Sequence, residues 1–367
     1  MADPRVERLA KLAVKYSVEV KEGDDVMIMG AAEAAPFIRA LYREVVKAGG
    51  FPLVLAGIDG LSNIFYENAT DEQIKRVSPF KKFLYEKADA MIGISFDTNT
   101  RAMTGIPPEK MRMGSVANSG LMKTMMDRTA KGDFKWVAVP FPGNADAQEG
   151  SMSLSDYEKF VFSACLADRD DPIAEWRKVS KQQDKMAARL DKAKELRFVG
   201  LDTDLEMSVA GRKWINCDGH MNLPDGEVFT GPVEDSVNGT IRFTYPGIYM
   251  GREIEDIRLT FKGGKVVKAS AAKGEELLKT LLKSDAGAVR LGEVAIGTNP
   301  GIRCFTKNML FDEKIGGTVH MALGACYPET GAKNNSAIHW DILKDMKKGG
   351  KIIADGKLIY KDGKFTG

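Results

Sequence analysis

The segment NLPDGEVFTGP, residues 222–232, sets a Pro-Asp-Gly turn directly before a run that reads as buried β-strand. The first side chain after the turn is a carboxylate, Glu227. Alternation places Glu227 and Phe229 on one face of that strand and Val228 and Thr230 on the other. Burying an unpaired carboxylate is costly, so that face is either wet or supplied with positive charge. A second segment, LGEVAIG, residues 291–297, repeats the puzzle, with Glu293 following a glycine into an apolar strand. One such glutamate reads as an edge residue; two sharing a Gly-Glu-Val core point to a common purpose.

Working outward, residues 197–367 carry short alternating strands with turn pairs: GTIRFTYPG, EDIRLTFKGGKVVKASA, GEVAIGT and the closing GGKIIADGKLIYKDGKFTG. Lys262-Gly-Gly-Lys265 is a hairpin signal, and GEELLKTLLKSD is a helix among the strands. This half is expected to be a mainly β (α+β) domain. Residues 1–196 read differently. The apolar runs DVMIMGA (from Asp25), FPLVLAG (from Phe51), ADAMIGISF (from Ala88) and KWVAVPFP (from Lys135) alternate with helical segments such as AAEAAPFIRALYREVVKAGG. That order predicts an α/β domain with a largely parallel sheet covered on both faces. Ser155-x-x-Glu158 reads as a capping box, and Asp171-Pro172 opens a polar helix running to about Leu196. A chain of 367 residues exceeds the usual single core, which agrees with two domains.

The charge balance, 53 Lys+Arg against 51 Asp+Glu, supplies no positive excess to drive nucleic-acid or anionic-membrane binding. No apolar run is long enough to span a bilayer, and the first residues alternate charged and apolar types rather than forming a signal-peptide core. Cys165, Cys217, Cys304 and Cys326 are widely spaced with no CxxC, and read as small buried hydrophobes in a reducing cytoplasm. MGAAEAAPF follows the first strand without a GxGxxG or a GxxxxGK, so a nucleotide site is not expected there. No GxSxG elbow marks a serine hydrolase, and no HExxH marks a helical zincin. Met103, Met111, Met113, Met122, Met125 and Met126 fall in a segment that reads as irregular, suited to adaptable packing or a subunit contact rather than a cofactor box.

All three histidines, His220, His320 and His339, lie in the second half. Imidazole and carboxylate together form the usual ligand set for divalent metals such as Zn²⁺ or Mn²⁺. In IHWD, His339 and Asp341 are two apart, which on a strand puts both on one face; a surface histidine beside an aspartate gives the same pattern. In VHMALGACY, His320 and Tyr327 would align on a helix and oppose on a straight strand, and Gly324 between them permits a bend.

Taken in order, PDGEVFTGP, GEVAIG, FDEKIGG followed by HMALGACY, and NNSAIHWD resemble the signature blocks of the aminopeptidase T-like metallo-aminopeptidases, also called thermophilic metalloproteases. The blocks cover roughly residues 222–341, and TDLEMSVAGRKW with the α/β first half also fits that family's layout. The resemblance implies a co-catalytic site of two divalent ions per subunit (Zn²⁺, Co²⁺ or Mn²⁺). Its metal ligands fall on Glu227, Glu293, His320, Tyr327, His339 and Asp341. It also implies a catalytic carboxylate upstream of HMALG, which matches Glu313 at a longer spacing than the family pattern, and a second role for Tyr327 beside the reacting carbonyl. His220 stands before PDGEVF where that pattern leads one to expect Arg. The implied partners are short peptides and a second copy of the chain, with the first domain as scaffold and dimer contact. Two alternatives share these residues: a hydrolase of the same architecture acting on other small amides, and a non-catalytic metal- or peptide-binding protein.

Overall fold

Asp25–Ala31 (β1) pairs in parallel with Phe51–Gly57 (β2) and Ala90–Ser95 (β3), and β3 with Lys135–Pro140 (β4), giving the order β2-β1-β3-β4. The four apolar runs of the first half thus form the expected parallel sheet, which requires a crossover between successive strands. Helices Pro4–Leu12 (α1) and Ala35–Lys47 (α2) pack together, and α2 lies on β1 and β2. Leu61–Asn68 (α3), Asp71–Lys75 (α4), Pro79–Lys87 (α5) and Pro108–Lys131 (α6) follow β2 and β3. Asn144–Glu149 (α7) and Leu154–Ala164 (α8) follow β4.

Three local expectations are corrected. The methionine-rich segment is not irregular: Met111, Met113, Met122, Met125 and Met126 lie on α6, and Met103 on a short 3₁₀ turn before it. Its Gly, Ser and Asn residues dilute the apolar stripe that marks a helix, yet Pro108 in its first turn and Gly132 past its end are ordinary start and stop signals. Helix α8 is capped by Ser153 rather than Ser155: the Ser153 hydroxyl accepts from the Asp156 amide at 3.1 Å and donates to its carboxylate at 2.8 Å. Helix Pro172–Leu190 (α9) is capped by Asp171, which accepts from the Ala174 amide, but ends at Leu190 rather than near Leu196. Residues 194 and 195 are taken by the carboxylate of Asp355, and Glu195 opens a strand.

That strand begins the second half: Glu195–Gly200 (β5), Thr203–Ser208 (β6), Ile215–Cys217 (β7), Glu227–Thr230 (β8), Asn238–Arg242 (β9), Gly247–Tyr249 (β10) and Arg252–Ile254 (β11). Arg258–Lys262 (β12), Lys265–Ser270 (β13), helix Glu275–Leu281 (α10), Leu291–Gly297 (β14), helix Met309–Asp312 (α11), Thr318–Gly324 (β15) and His339–Asp345 (β16) come next. Lys351–Ala354 (β17), Lys357–Lys361 (β18) and Lys364–Phe365 (β19) close the chain. They form an eight-stranded antiparallel sheet, β13-β12-β9-β6-β5-β17-β18-β19, a five-stranded one, β16-β15-β14-β8-β7, and the ribbon β10-β11. The Gly263–Gly264 turn joins β12 to β13 as expected.

The computed structural model describes residues 3–366, which divide into two units: residues 3–175 with Gly219–Pro224, and Trp176–Asp218 with residues 225–366. The division falls within α9 rather than at residue 196, because Ala187 and Leu190 of that helix join the core of the second unit. One apolar cluster draws on both large sheets, with Phe198, Leu205 and Leu259 from one and Val294, Met321 and Trp340 from the other. Each such side chain contributes roughly 1.5–3 kcal/mol by leaving water. The opposite face of the five-stranded sheet carries different chemistry.

Candidate metal centre

Period-two alternation splits β8, β14, β15 and β16 cleanly. Val228, Val294, Ile296, Val319, Met321, Leu323, Trp340 and Ile342 point into the apolar core. The intervening positions carry Glu227, Glu293, His320, His339 and Asp341, so four adjacent strands place all five on one face. Most of the residues paired with them are small: Gly297 and Cys217 face Glu227, Ala322 faces both Glu293 and Asp341, Ala295 faces His320 on one side, and Gly324 faces His339. The exception is Leu343, on the other side of His320. Small partners leave room above the strands for the donor atoms to meet.

The two Gly-Glu-Val segments solve one problem by different means. In β14 the register with β15 shifts between Leu291 and Glu293, a β-bulge at Gly292. Without the extra residue, Leu291 and Glu293 would share a face; with it, Leu291 sits in the core and Glu293 in the cluster. A Cβ on Gly292 would lie 2.2 Å from the Ala325 carbonyl oxygen, so the bulge requires glycine. Before β8, Gly226 has φ +121, and a Cβ there would lie 2.7 Å from the Asn299 Cβ. The buried Gln183 of α9 donates to the carbonyls of Cys217 and Glu227 at 2.8 and 3.1 Å and accepts from the Thr298 hydroxyl at 2.7 Å. It pins the start of β8 against its neighbours.

The donor atoms converge. The His320 Nε2 lies 3.1 Å from Glu293 Oε1 and 3.2 Å from Glu227 Oε2. The His339 Nε2 lies 3.6 Å from Glu293 Oε2 and 3.4 Å from Asp341 Oδ2, while its Nδ1 meets the Ala325 carbonyl at 2.8 Å. Three groups offer donor atoms mutually close enough to hold an ion: Glu227–Glu293–His320, Glu293–His339–Asp341 and Glu313–His320–Asp341. Glu293 belongs to the first two, one carboxylate oxygen toward each histidine. The HxD pair is therefore part of a cluster rather than a surface coincidence.

Glu313 closes α11 and approaches His320 and Asp341. Its carboxyl is pushed up to about 8 by burial. Tyr327 reaches the cluster because the chain turns at Gly324 (φ +105) after β15, which settles the geometry left open by the seven-residue spacing. Its ring stacks edge-on against Phe229 at 5.3 Å and His339 at 5.1 Å, and burial with the charges of Glu293 and Asp341 raises its phenol. His220 is not in the cluster; it belongs to the other unit, its ring 4.6 Å from that of Tyr16.

Two residues escaped the sequence reading. Lys314 is fully buried, its ammonium on Glu313 and 4.0 Å from Glu227 Oε1. Asp225, buried in the turn before β8, joins Cys217 and Glu227 in a fourth group. A lysine among glycines and acids in FDEKIGG gives no periodic signal of burial, whereas the acids of PDGEVF were at least adjacent to a strand.

Four carboxylates, Glu227, Glu293, Glu313 and Asp341, crowd around one ammonium and two imidazoles, so without an ion the acids are met by protons held on the histidines and on Glu313. Burial alone would lower the His339 imidazole, but its hydrogen bond to Asp341 and the charges of Asp341 and Glu293 outweigh this and carry it up to about 10. His320 is raised likewise, chiefly by Glu227 against the effect of its burial. Glu227 Oε2, Asp341 Oδ1 and His320 Nδ1 are buried with no hydrogen-bond partner of acceptable geometry. Orphaned oxygens and carboxylates buried side by side fit a divalent cation, whose charge would supply what the donor set lacks.

Known proteins resemble this chain along nearly its whole length. The profile of the thermophilic metalloprotease (M29) family matches residues 2–365. The chain is 30% identical to aminopeptidase T of Thermus thermophilus, over 98% of this chain and 96% of that protein. It is 28% identical to aminopeptidase 2 of Geobacillus stearothermophilus, over 99% and 98%. The structure of wild-type AmpT from Thermus thermophilus superposes with a TM-score of 0.85 at 26% identity, covering 99% of both chains. A 2,5-dihydroxypyridine dioxygenase from Pseudomonas putida shares the fold alone, with a TM-score of 0.58 at 14% identity. A match along nearly the whole length, with an α/β first half and an antiparallel second half in common, places the chain in the thermophilic metalloprotease (M29) family.

Proposed function

We propose that this chain, a metallo-aminopeptidase of the M29 family, removes N-terminal residues from short peptides at a centre of two divalent cations. The observation that carries the reading is Glu293, whose two carboxylate oxygens face different histidines and which two ligand groups share. Glu227, Glu293 and His320 would hold one ion, and Glu293, His339 and Asp341 the other. When bound, such ions polarise a scissile carbonyl and lower the pKa of a water.

The chain's own groups do the rest. Glu313, at the edge of the cluster, takes the proton of the attacking water and returns it to the leaving amine, its affinity for a proton raised by burial. Tyr327 keeps its proton because burial and the neighbouring carboxylates hold its phenol above the usual range. It donates that hydrogen to the oxygen on which charge develops, or ligates an ion. Phe229 packs edge-on against Tyr327, and Tyr327 against His339, which fixes the phenol ring beside that histidine.

The first unit serves as scaffold and homodimer contact. Supporting this, it exposes large apolar side chains, among them Phe51 of β2, Phe80 and Phe83 of α5, and Val116 and Met122 of α6. The site is cytoplasmic: all four cysteines are free, and no described helix is long and apolar enough to cross a membrane. Removing metal with a chelator should abolish hydrolysis of leucine-type amides, and Zn²⁺, Co²⁺ or Mn²⁺ should restore it. Unchanged hydrolysis by protein shown to be metal-free sinks this reading.

A further inference from the structure

Two lysines are buried almost completely, and they differ in what they meet. The ammonium of Lys344 donates to the carbonyls of Leu201 and Arg242 at 3.0 Å each, a neutral cradle that explains its place in the fold. Lys314 meets acids instead: Glu313 directly, Glu227 at 4.0 Å, and Asp225 beyond. Sealing a permanent cation beside carboxylates that hold metal is unexpected, because it repels the ions those carboxylates attract. The charges explain it. When all are ionised, Asp225, Glu227, Glu293, Glu313 and Asp341 carry five negative charges, of which two divalent ions would neutralise four. The fifth is matched by Lys314, at the corner where Cys217, Asp225 and Glu227 could otherwise gather a further cation.

We propose that Lys314 is a positioning residue of the centre, a resident cation that fixes Glu313 against the ligand cluster and closes the Cys217–Asp225–Glu227 corner to a third metal. The inference rests on the two-cation reading above. It gives Lys314 two effects of opposite sign: it weakens metal binding by repulsion and supports turnover by holding the proton carrier. A lysine that merely fills space would support both or neither.

The test compares wild type, Lys314→Met, Glu313→Gln and the double variant. Zn²⁺ affinity and stoichiometry are measured by competition with a chromophoric chelator, and kcat and KM on an aminoacyl amide. Lys314→Met is expected to bind Zn²⁺ about tenfold more tightly, as loss of a nearby like charge requires, and to accept a third ion. Its kcat is expected to fall roughly 100-fold, the lower range for a misplaced proton carrier, with KM little changed. In the Glu313→Gln background, Lys314→Met should cost little further turnover, since the two act as a unit. Should Lys314→Met fail to fold, the double variant removes the ion pair together and still reports affinity against Glu313→Gln alone. Weaker Zn²⁺ binding in the lysine variants, or full turnover without Lys314, overturns the proposal while leaving the metal centre intact. A wild type that binds no divalent cation overturns the centre itself.

Discussion

The two units break the usual rule of protein surfaces in opposite ways. The first leaves Phe80 81% exposed and Phe83 60% exposed, large aromatic rings in water. The second buries Glu227, Glu293, Lys314, His320 and Asp341 beneath a strand face. Each departure costs stability in an isolated chain, and the proposed function relieves each from outside: another apolar surface would cover the rings, and cations would neutralise the crowded carboxylates. The contrast teaches that an anomaly identifies the chemistry of its missing partner.

The largest effect that could break this contrast is at Glu293, the shared carboxylate. Glu293→Gln should lower kcat/KM by more than the roughly 10–100-fold that loss of an outer-shell partner costs, and metal content should fall with it. Its thermal behaviour should invert. Bound metal at a thousandfold above its Kd stabilises wild type by about 4 kcal/mol, and chelation removes this. The variant loses that gain but also loses a buried negative charge. Metal-free Glu293→Gln should therefore melt above metal-free wild type while metal-loaded wild type melts above both. A variant that melts below metal-free wild type would show that Glu293 is held by ordinary packing and not by cations.

How far such residues could be read from sequence depends on whether a local rule governs them. The parallel strands of the first unit and the hairpins of the second follow period and turn chemistry, and both stand as expected. His339 and Asp341 share a face because two-residue spacing on a strand guarantees it. Glu293 is different: its face depends on the bulge at Gly292, and a plain count would have paired it with Leu291. Tyr327 depends on a turn at Gly324, and Lys314 on packing between distant segments, which no local pattern encodes. Helix α6 gives no helical signal because its apolar residues lack a stripe. If its exposed Met122 and Met126 face another subunit, the stripe is missing because the helix is covered from more than one side.

The apolar half of the contrast is sharpened by Phe80→Asp with Phe83→Asp on α5. If a second copy covers these rings, the variant should elute near the 40.2 kDa of one chain while wild type elutes near twice that. Surface changes alone shift stability by about 0.5 kcal/mol or less, so loss of assembly should come without collapse of the fold. Sedimentation of a dimer unchanged by both substitutions would move the interface elsewhere.

The smallest effect lies at Asp146 on α7, where the first unit holds a strained acid of its own. Burial, with the charge of Asp97 nearby, pushes its carboxyl up to about 6, above the ordinary value of 3.8. A raised acid binds its proton more tightly in the fold than in the unfolded chain. The fold is therefore destabilised as pH rises through the interval between the two values, and the full cost is present above about 6. Asp146→Asn removes the charge and should stabilise the protein at pH 7.5 by about 1 kcal/mol after solvent screening, a gain that shrinks toward pH 4. Unlike the buried acids of the second unit, Asp146 is not among the groups placed to share a cation. Its gain should be the same with and without chelator, whereas that of Glu293→Gln should appear only when metal is removed. A chelator-dependent gain at Asp146, or one as large at pH 4 as at pH 7.5, would mean that charge burial in the first unit is not what the substitution relieves.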